Sequence, residues 1–330
     1  MKFKGWPKVK IMTDEGQVDA IAPSIISESR ATDIPSFYPE KFFQNLKKNY
    51  TTWTNPFNQV KQYVSFENVR VIVFWTKNAG PIIPYLEELN KRRIHYYFTF
   101  TMNDYEVEGL EPNLPPLLER VETFKRLSQL IGKDRVIWRF DPLILSEAIS
   151  VDTLLKKIER VGNLLHDYTS KLVFSFVDIS EYRAVGANLR RKGSDYREFD
   201  KKEKAMIAKG IQALNEEWRL ELASCCEDVD LSSFGVHHNR CIDDELMVRL
   251  FKDDGKLMEF LGTERRSIQT TLYYPPKDTE NPLKDKGQRK ACGCIVSKDI
   301  GEYNTCGHLC TYCYANHSEA HVKANLKKKI

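Results

Sequence analysis

Along residues 22–224, short apolar runs rich in β-branched and aromatic residues alternate with longer stretches of helical period. The runs are "APSIIS" (22–27), "VRVIVFW" (69–75), "IHYYFTFT" (94–101), "RVIWRF" (135–140), "KLVFSFV" (171–177) and "LELAS" (220–224). Runs that stay apolar at successive positions, rather than at every second one, suit strands covered on both faces. Between them, "PLLERVETFKRLSQLIG" (116–132) and "SVDTLLKKIERVGNLLHDY" (150–168) place leucine and isoleucine at helical intervals, with Asp152 positioned to help cap the second. This rhythm predicts an α/β fold with a parallel sheet.

Six strand–helix units with no G-x-G-x-x-G after the first run favour a full or partial (βα) TIM-like barrel over a dinucleotide-binding sheet. In a barrel the chemistry gathers at the C-terminal ends of the strands. Those ends are polar here: Ser29 and Arg30, Thr76 and Lys77, Thr99 and Thr101, Arg139 and Asp141, Ser175 and Asp178, and Glu227. Past residue 227 the alternation stops. The chain therefore divides into an N-terminal extension (1–21), a barrel (22–271), a linker loop rich in proline and lysine (272–290), a cysteine-rich segment (291–318) and a basic tail (319–330).

Composition narrows the class. Of 330 residues, 42% are hydrophobic and 29% charged, as in a globular protein. No run reaches the length of a spanning helix and the first residues lack an apolar leader, so a cytoplasmic location is expected, with no membrane partner. A net charge of +4 permits a nucleic-acid partner without requiring one. The charged run at 189–204 suits either phosphate contact or a solvated loop and helix start.

The eight cysteines change the picture, because none lies before residue 225. Packing alone would scatter them, whereas a cofactor gathers them, and without an export signal metal ligation precedes disulfides. Cys306, Cys310 and Cys313 stand at C-x3-C-x2-C spacing in "YNTCGHLCTYCYAN". Three soft thiolates so spaced can hold three irons of a [4Fe-4S] cluster and leave the fourth open to S-adenosylmethionine, whose reductive cleavage starts radical chemistry. Tyr312 is placed to shield the cluster or to pack on adenine. A structural zinc site drawing on His308 is the competing reading, as is a non-catalytic iron–sulfur redox protein with every iron ligated.

Cys225, Cys241, Cys292 and Cys294 suit a second cluster, a zinc site, or apolar filler in part; strand alternation turns Cys225 and Cys226 to opposite faces and leaves Cys226 spare. His237 and His238 lie near Cys241 as further donors or as surface residues. Among the strand-end groups, Arg30, Lys77, Arg139, Asp141, Asp178 and Glu227 are the catalytic candidates. Arg30 and Asp178 are also cofactor-binding candidates: Arg30 can grip a carboxylate or phosphate, and Asp178, like Glu227, can bind ribose hydroxyls or cap a helix. Arg30 with Asp33, and Arg139 with Asp141, can equally form structural ion pairs.

The stretch "CGHLCTYCYAN" resembles the cluster loop of radical S-adenosylmethionine enzymes, in particular the spore photoproduct lyase branch. More of the chain resembles a bacterial family of unknown function with radical-SAM-like cysteines near its C-terminus. The matching stretches are "SRATDIPSFY" (29–38), "NPFN" (55–58), "VFWTKN" (73–78), "VIWRFDP" (136–142), "FSFVD" (174–178) and "ACGCIVSKDIGEYNTCGHLCTYCYAN" (291–316). The resemblance implies a TIM-like barrel, one or two [4Fe-4S] clusters, bound S-adenosylmethionine and, as electron donor, a reductase or a flavodoxin- or ferredoxin-type protein. Two departures stand out: the cysteine loop follows all the predicted strands instead of the first, and a glycine-glycine-glutamate stretch is absent.

Overall fold

In the computed structural model, which describes residues 3–193, 195–263 and 281–329, the apolar runs become parallel strands. The first five strands are β1 (Lys8–Thr13), β2 (Gly16–Ile21), β3 (Ile25–Glu28), β4 (Tyr50–Thr54) and β5 (Lys61–Ser65). Then come β6 (Val71–Thr76), β7 (His95–Thr101), β8 (Val136–Leu143), β9 (Lys171–Phe176), β10 (Glu221–Ser224), β11 (Val236–His238) and β12 (Lys298–Asp299). Eight of these form one sheet in the order β11-β10-β9-β8-β7-β6-β3-β12, with every neighbouring pair parallel. The architecture is thus α/β around a large parallel sheet. Among the described residues β11 and β12 are its two edges, and no ladder pair joins them.

Both faces of the sheet are covered, which explains the unbroken apolar runs. Ile26, Ile72, Phe98, Trp138, Phe174 and Leu222 pack on one side with the helices between the strands. Ile25, Val71, Val73, Tyr97, Ile137, Val173 and Ala223 point to the other side, where α8 (Asp244–Phe251) and α9 (Gly255–Leu261) cover them through Leu246, Met247, Phe251 and Leu257. Each such side chain, fully buried, contributes about 1.5–3 kcal/mol. Along that second face the period of two continues into Ser27, Trp75, Thr99, Arg139 and Ser175. The same face is therefore apolar at its N-terminal half and polar at its C-terminal half.

The helix α4 (Leu117–Ile131) and the helix α5 (Val151–Leu165) occupy the expected stretches. The cap of α5 is Ser150, whose side chain accepts from Thr153 N; Asp152 lies in the first turn, where its charge favours the helix dipole but its side chain is past the cap position. Residues 8–21, expected as an extension, form the antiparallel pair β1–β2, and β2 continues through β5 to β4 in a separate four-stranded sheet. Residues 264–271 of the expected barrel and 272–280 of the expected linker lie outside the described residues. No helix among the described residues is long and apolar enough to cross a membrane.

Candidate functional site

The polar half of the second face opens into a cleft of about 330 Å³, and all eight cysteines line it. With them stand Arg30, Asp33, Trp75, Lys77, Arg139 and Asp141, all at or just past strand ends. What closes the cleft is the stretch from Ile300 to Asn316. Its course is fixed by β12, which adds a parallel partner to β3, with Lys298 opposite Ile26 and Asp299 opposite Ser27.

Several hydrogen bonds then tie the stretch across the strand ends. Trp53 Nε1 donates to Gly301 O at 3.1 Å, Tyr38 Oη to Thr305 O at 2.6 Å and Asn113 Nδ2 to Gly307 O at 2.8 Å. Thr311 N donates to Leu110 O at 2.8 Å, and Asn188 Nδ2 to Cys313 O at 2.9 Å. Gly301 is required by close approach: a Cβ there would lie 1.6 Å from Ser29 Oγ. Asp299 clamps the other end of the turn, accepting from Arg30 N at 2.9 Å and from Gly301 N at 2.8 Å.

Cys306, Cys310 and Cys313 share one wall of the cleft. Burial pushes the Cys306 thiol up to about 12, with Asp33 and Cys313 adding repulsion; burial likewise raises Cys310 and Cys313. His308, between the first two thiols, is buried and meets Asp33 Oδ2 through Nε2 at 2.8 Å, while its Nδ1 is buried without a hydrogen-bond partner. Asp33 spends its remaining capacity on Ser36 N (3.0 Å), Thr76 Oγ1 (2.9 Å) and Lys77 N (2.7 Å). The alternative of an Arg30–Asp33 ion pair is therefore not the observed arrangement. Arg30 instead places its guanidinium 5.4 Å from the Trp75 ring centre, with Nη2 buried and unpartnered.

Lys77 is drawn in rather than exposed. Its Nζ lies 2.7 Å from Glu111 Oε1 and donates to Tyr312 Oη at 2.9 Å. Asn103 Nδ2 joins the same group at 3.0 Å from Tyr312 Oη, and Tyr312 Oη donates to Glu111. Lys77 and Arg120 outweigh burial and hold the Glu111 carboxyl below its usual range. Tyr312 lines the cleft with its hydroxyl anchored in this network. Glu111 and Asn103 carried no sequence signal, because they lie in aperiodic loops and meet the cysteine segment only through the fold.

Arg139 and Asp141 are paired through a buried salt bridge, and Arg139 Nη1 also donates to Cys241 Sγ at 2.9 Å. Asp178 lines the cleft and is paired with Arg289, a residue the sequence reading passed over although it stands three before Cys292. Glu227 is not among the residues that line the cleft. It follows β10 by three residues, and its buried carboxylate turns back to accept from Phe176 N at 3.0 Å and Lys204 Nζ at 2.8 Å.

Cys226 is a correction. Strand β10 ends at Ser224, and Cys226 adopts a left-handed conformation (φ +61°), so pleat alternation no longer applies and Cys225 and Cys226 line the same cleft. His237 and His238 are both exposed, and His238 Nε2 contacts Ala291 O. In the run 189–204, Arg197 pairs with Glu203 at 2.6 Å and Glu203 completes a capping box with Asp200, so those charges are spent locally. Among the described residues, no three His, Cys, Asp or Glu side chains surround one point as metal ligands.

The family described as "Domain of unknown function (DUF1848)" matches residues 25–315. No curated protein matches the chain. Among solved structures, one "of a putative alpha-L-fucosidase from Bacteroides thetaiotaomicron VPI-5482" is similar at 9% identity and a TM-score of 0.23, over 59% of this chain and 74% of that one. A likeness of that size carries no functional inference.

Proposed function

We propose that this chain, which belongs to the DUF1848 family of unknown function, is an iron–sulfur enzyme of radical S-adenosylmethionine type. Cys306, Cys310 and Cys313 would hold the cluster over the strand ends of a partly closed (βα) barrel. In support of closure, Ile295 N, just before β12, donates to Ile242 O, just after β11, at 3.1 Å. When bound, such a cluster supplies the electron that cleaves the cofactor's sulfonium and starts radical chemistry.

The observation that carries the reading is a shared cleft: three soft thiols and the Arg30 guanidinium, whose Nη2 is buried without a hydrogen-bond partner, face the same 330 Å³ space. That volume falls within the range of small-molecule sites, roughly 300–1,000 Å³. The donor set fits an iron–sulfur cluster, provided the three side chains rotate onto a common centre. Arg30 supplies the fork that a cofactor or substrate carboxylate needs, since both Nη1 and Nη2 can engage two oxygens. Lys77, Glu111, Asn103 and Tyr312 fix the cysteine loop. Trp75, Phe176, Tyr182 and Tyr314 give the cleft an aromatic wall.

The test is anaerobic reconstitution with iron and sulfide, then dithionite and S-adenosylmethionine. The expected product is 5′-deoxyadenosine, lost in Cys306→Ala, Cys310→Ala and Cys313→Ala. A cluster-loaded protein that yields none overturns the enzymatic reading.

The contact between His308 and Asp33 favours a second reading, an electron carrier. Metal-ligating histidines commonly donate their other ring N–H to a carboxylate. A buried, partnerless Nδ1 opposite such a contact is the form a fourth ligand takes. Full ligation predicts an electron paramagnetic resonance signal unchanged by S-adenosylmethionine and altered by His308→Ala. Zinc without iron or sulfide in anaerobically purified protein would point instead to a structural Cys3His site.

A further inference from the structure

We propose that four of the remaining five cysteines build a second, mononuclear metal site: a tetrathiolate of Cys225, Cys241, Cys292 and Cys294 for zinc(II) or iron(II), with Cys226 beside it as a thiol outside the ligand set. This does not rest on the reading of the Cys306–Cys313 loop. The five come from three parts of the fold: the end of β10, the turn after β11 and the stretch before β12.

Spacing is the first observation. Cys225 Sγ and Cys241 Sγ stand 3.5 Å apart. Thiolates on one tetrahedral zinc, each about 2.3 Å from the metal, stand about 3.8 Å from one another. In a [4Fe-4S] cube each thiolate binds a different iron, which spreads the sulfurs much further. As it stands, the spacing of this pair is closer to that of two ligands on one ion than to that of two ligands on a cube.

The second observation is the set of donors aimed at sulfur. Cys241 Sγ receives Arg139 Nη1 at 2.9 Å and Asn239 Nδ2 at 3.0 Å. Cys294 Sγ receives the backbone N–H groups of Cys241 at 3.3 Å and Ile242 at 3.4 Å. Four N–H groups converging on two buried sulfurs, one from a guanidinium, provide the outer shell that metal-bound thiolates require. Four thiolates and a divalent ion carry a net charge of −2; Arg139 and Arg289 already face Asp141 and Asp178, which leaves Arg30 in the same cleft to offset part of it.

The third observation is close packing of the C-x-C segment. A Cβ on Gly293 would lie 2.9 Å from Arg240 Cγ and 3.2 Å from Asn239 O, so only glycine lets Cys292 and Cys294 approach the turn that carries Cys241. All five thiols line the one cleft, and Cys225 Sγ and Cys241 Sγ touch. They do not form a closed shell as they stand, and side-chain rotation closes it around an ion. Cys226, with its left-handed backbone, lines the cleft together with Cys292.

The experiment uses the full chain carrying Cys306→Ala, Cys310→Ala and Cys313→Ala, purified anaerobically, with folding checked by circular dichroism. Metal and acid-labile sulfide are then measured. About one equivalent of zinc or iron without sulfide is expected. Adding Cys241→Ser should lower the metal at least tenfold, whereas adding Cys226→Ser should leave most of it. A folded triple variant without metal overturns the proposal, and so does one holding iron with stoichiometric sulfide.

If the triple variant does not fold, Cys241→Ser in the otherwise wild-type chain decides. Loss of one metal equivalent with sulfide unchanged supports the site; loss of sulfide with the metal overturns it. The triple variant lacks the first loop's thiols, so failure here is distinct from failure of the radical-enzyme reading.

Discussion

His308 and Asp33 meet at 2.8 Å through Nε2 and Oδ2, and the opposite ring nitrogen is buried without a partner. One carboxylate thereby orients a ring in the cysteine loop while also capping the helix at Ile34–Phe37 and binding the end of β6 through Lys77 N.

Replacing Asp33 therefore breaks four hydrogen bonds together. Asp33→Ala is expected to cost about 2–4 kcal/mol, read as a lower urea midpoint, because buried donors lose their acceptor. His308→Ala should cost less. In the enzymatic reading it leaves the S-adenosylmethionine-dependent spectral change in place, and in the carrier reading it shifts the reduction potential.

Gly301→Ala touches no ligand yet should displace the loop, since the added methyl meets Ser29. The expected result is a loss of about 1–3 kcal/mol, typical of overpacking, with lower iron content after reconstitution. Combining it with Ser29→Gly removes the colliding atoms and should restore both. Iron content that stays at the wild-type level in the single variant would show that the loop tolerates the shift.

Lys298 gives a pH test. It is buried against Trp53, with Nζ 3.1 Å from the ring centre, and burial lowers its pKa to about 8 despite Asp299. The indole face returns part of the lost hydration. In the unfolded chain the lysine keeps its proton up to its ordinary range. Between about 8 and that range the unfolded state binds more protons, so wild-type stability rises with pH. Lys298→Met should raise the melting temperature at pH 7 by roughly 2–4 °C. That advantage should shrink as pH climbs past 8; a difference that is flat with pH contradicts the assignment.

Glu227→Gln keeps an acceptor for Phe176 N and removes a carboxylate that burial disfavours despite Lys204, so stability should change by less than about 1 kcal/mol. Metal content and any activity per folded molecule should stay at wild-type levels, because the side chain faces away from the cleft. A change in metal content would return Glu227 to the site.

The sheet was legible because buried parallel strands advertise themselves as unbroken apolar runs, as in "VIVFWT" of β6. Strands β1 and β2 lacked that signal, since they alternate exposed and half-buried residues in a small sheet. Strand β12 spans only two residues and exists through its pairing with β3. Within the site, the gathering of cysteines after residue 225 was visible from spacing. The left-handed backbone of Cys226 was not, because a positive φ is set by the packed loop rather than by the residue type. Glu111, Asn103 and Arg289 were invisible for a related reason: each gains its place from a partner far away in sequence.

The β3–β12 pair joins positions 272 residues apart and also carries the Cys306 loop to the strand ends. During synthesis on the ribosome the early strands can assemble among themselves, but β3 lacks this edge partner until residue 299 has emerged. In the proposed reading, a nascent chain stalled short of that residue lacks the seat that places the cysteine loop on the sheet, and so presents no finished receptacle for a metal.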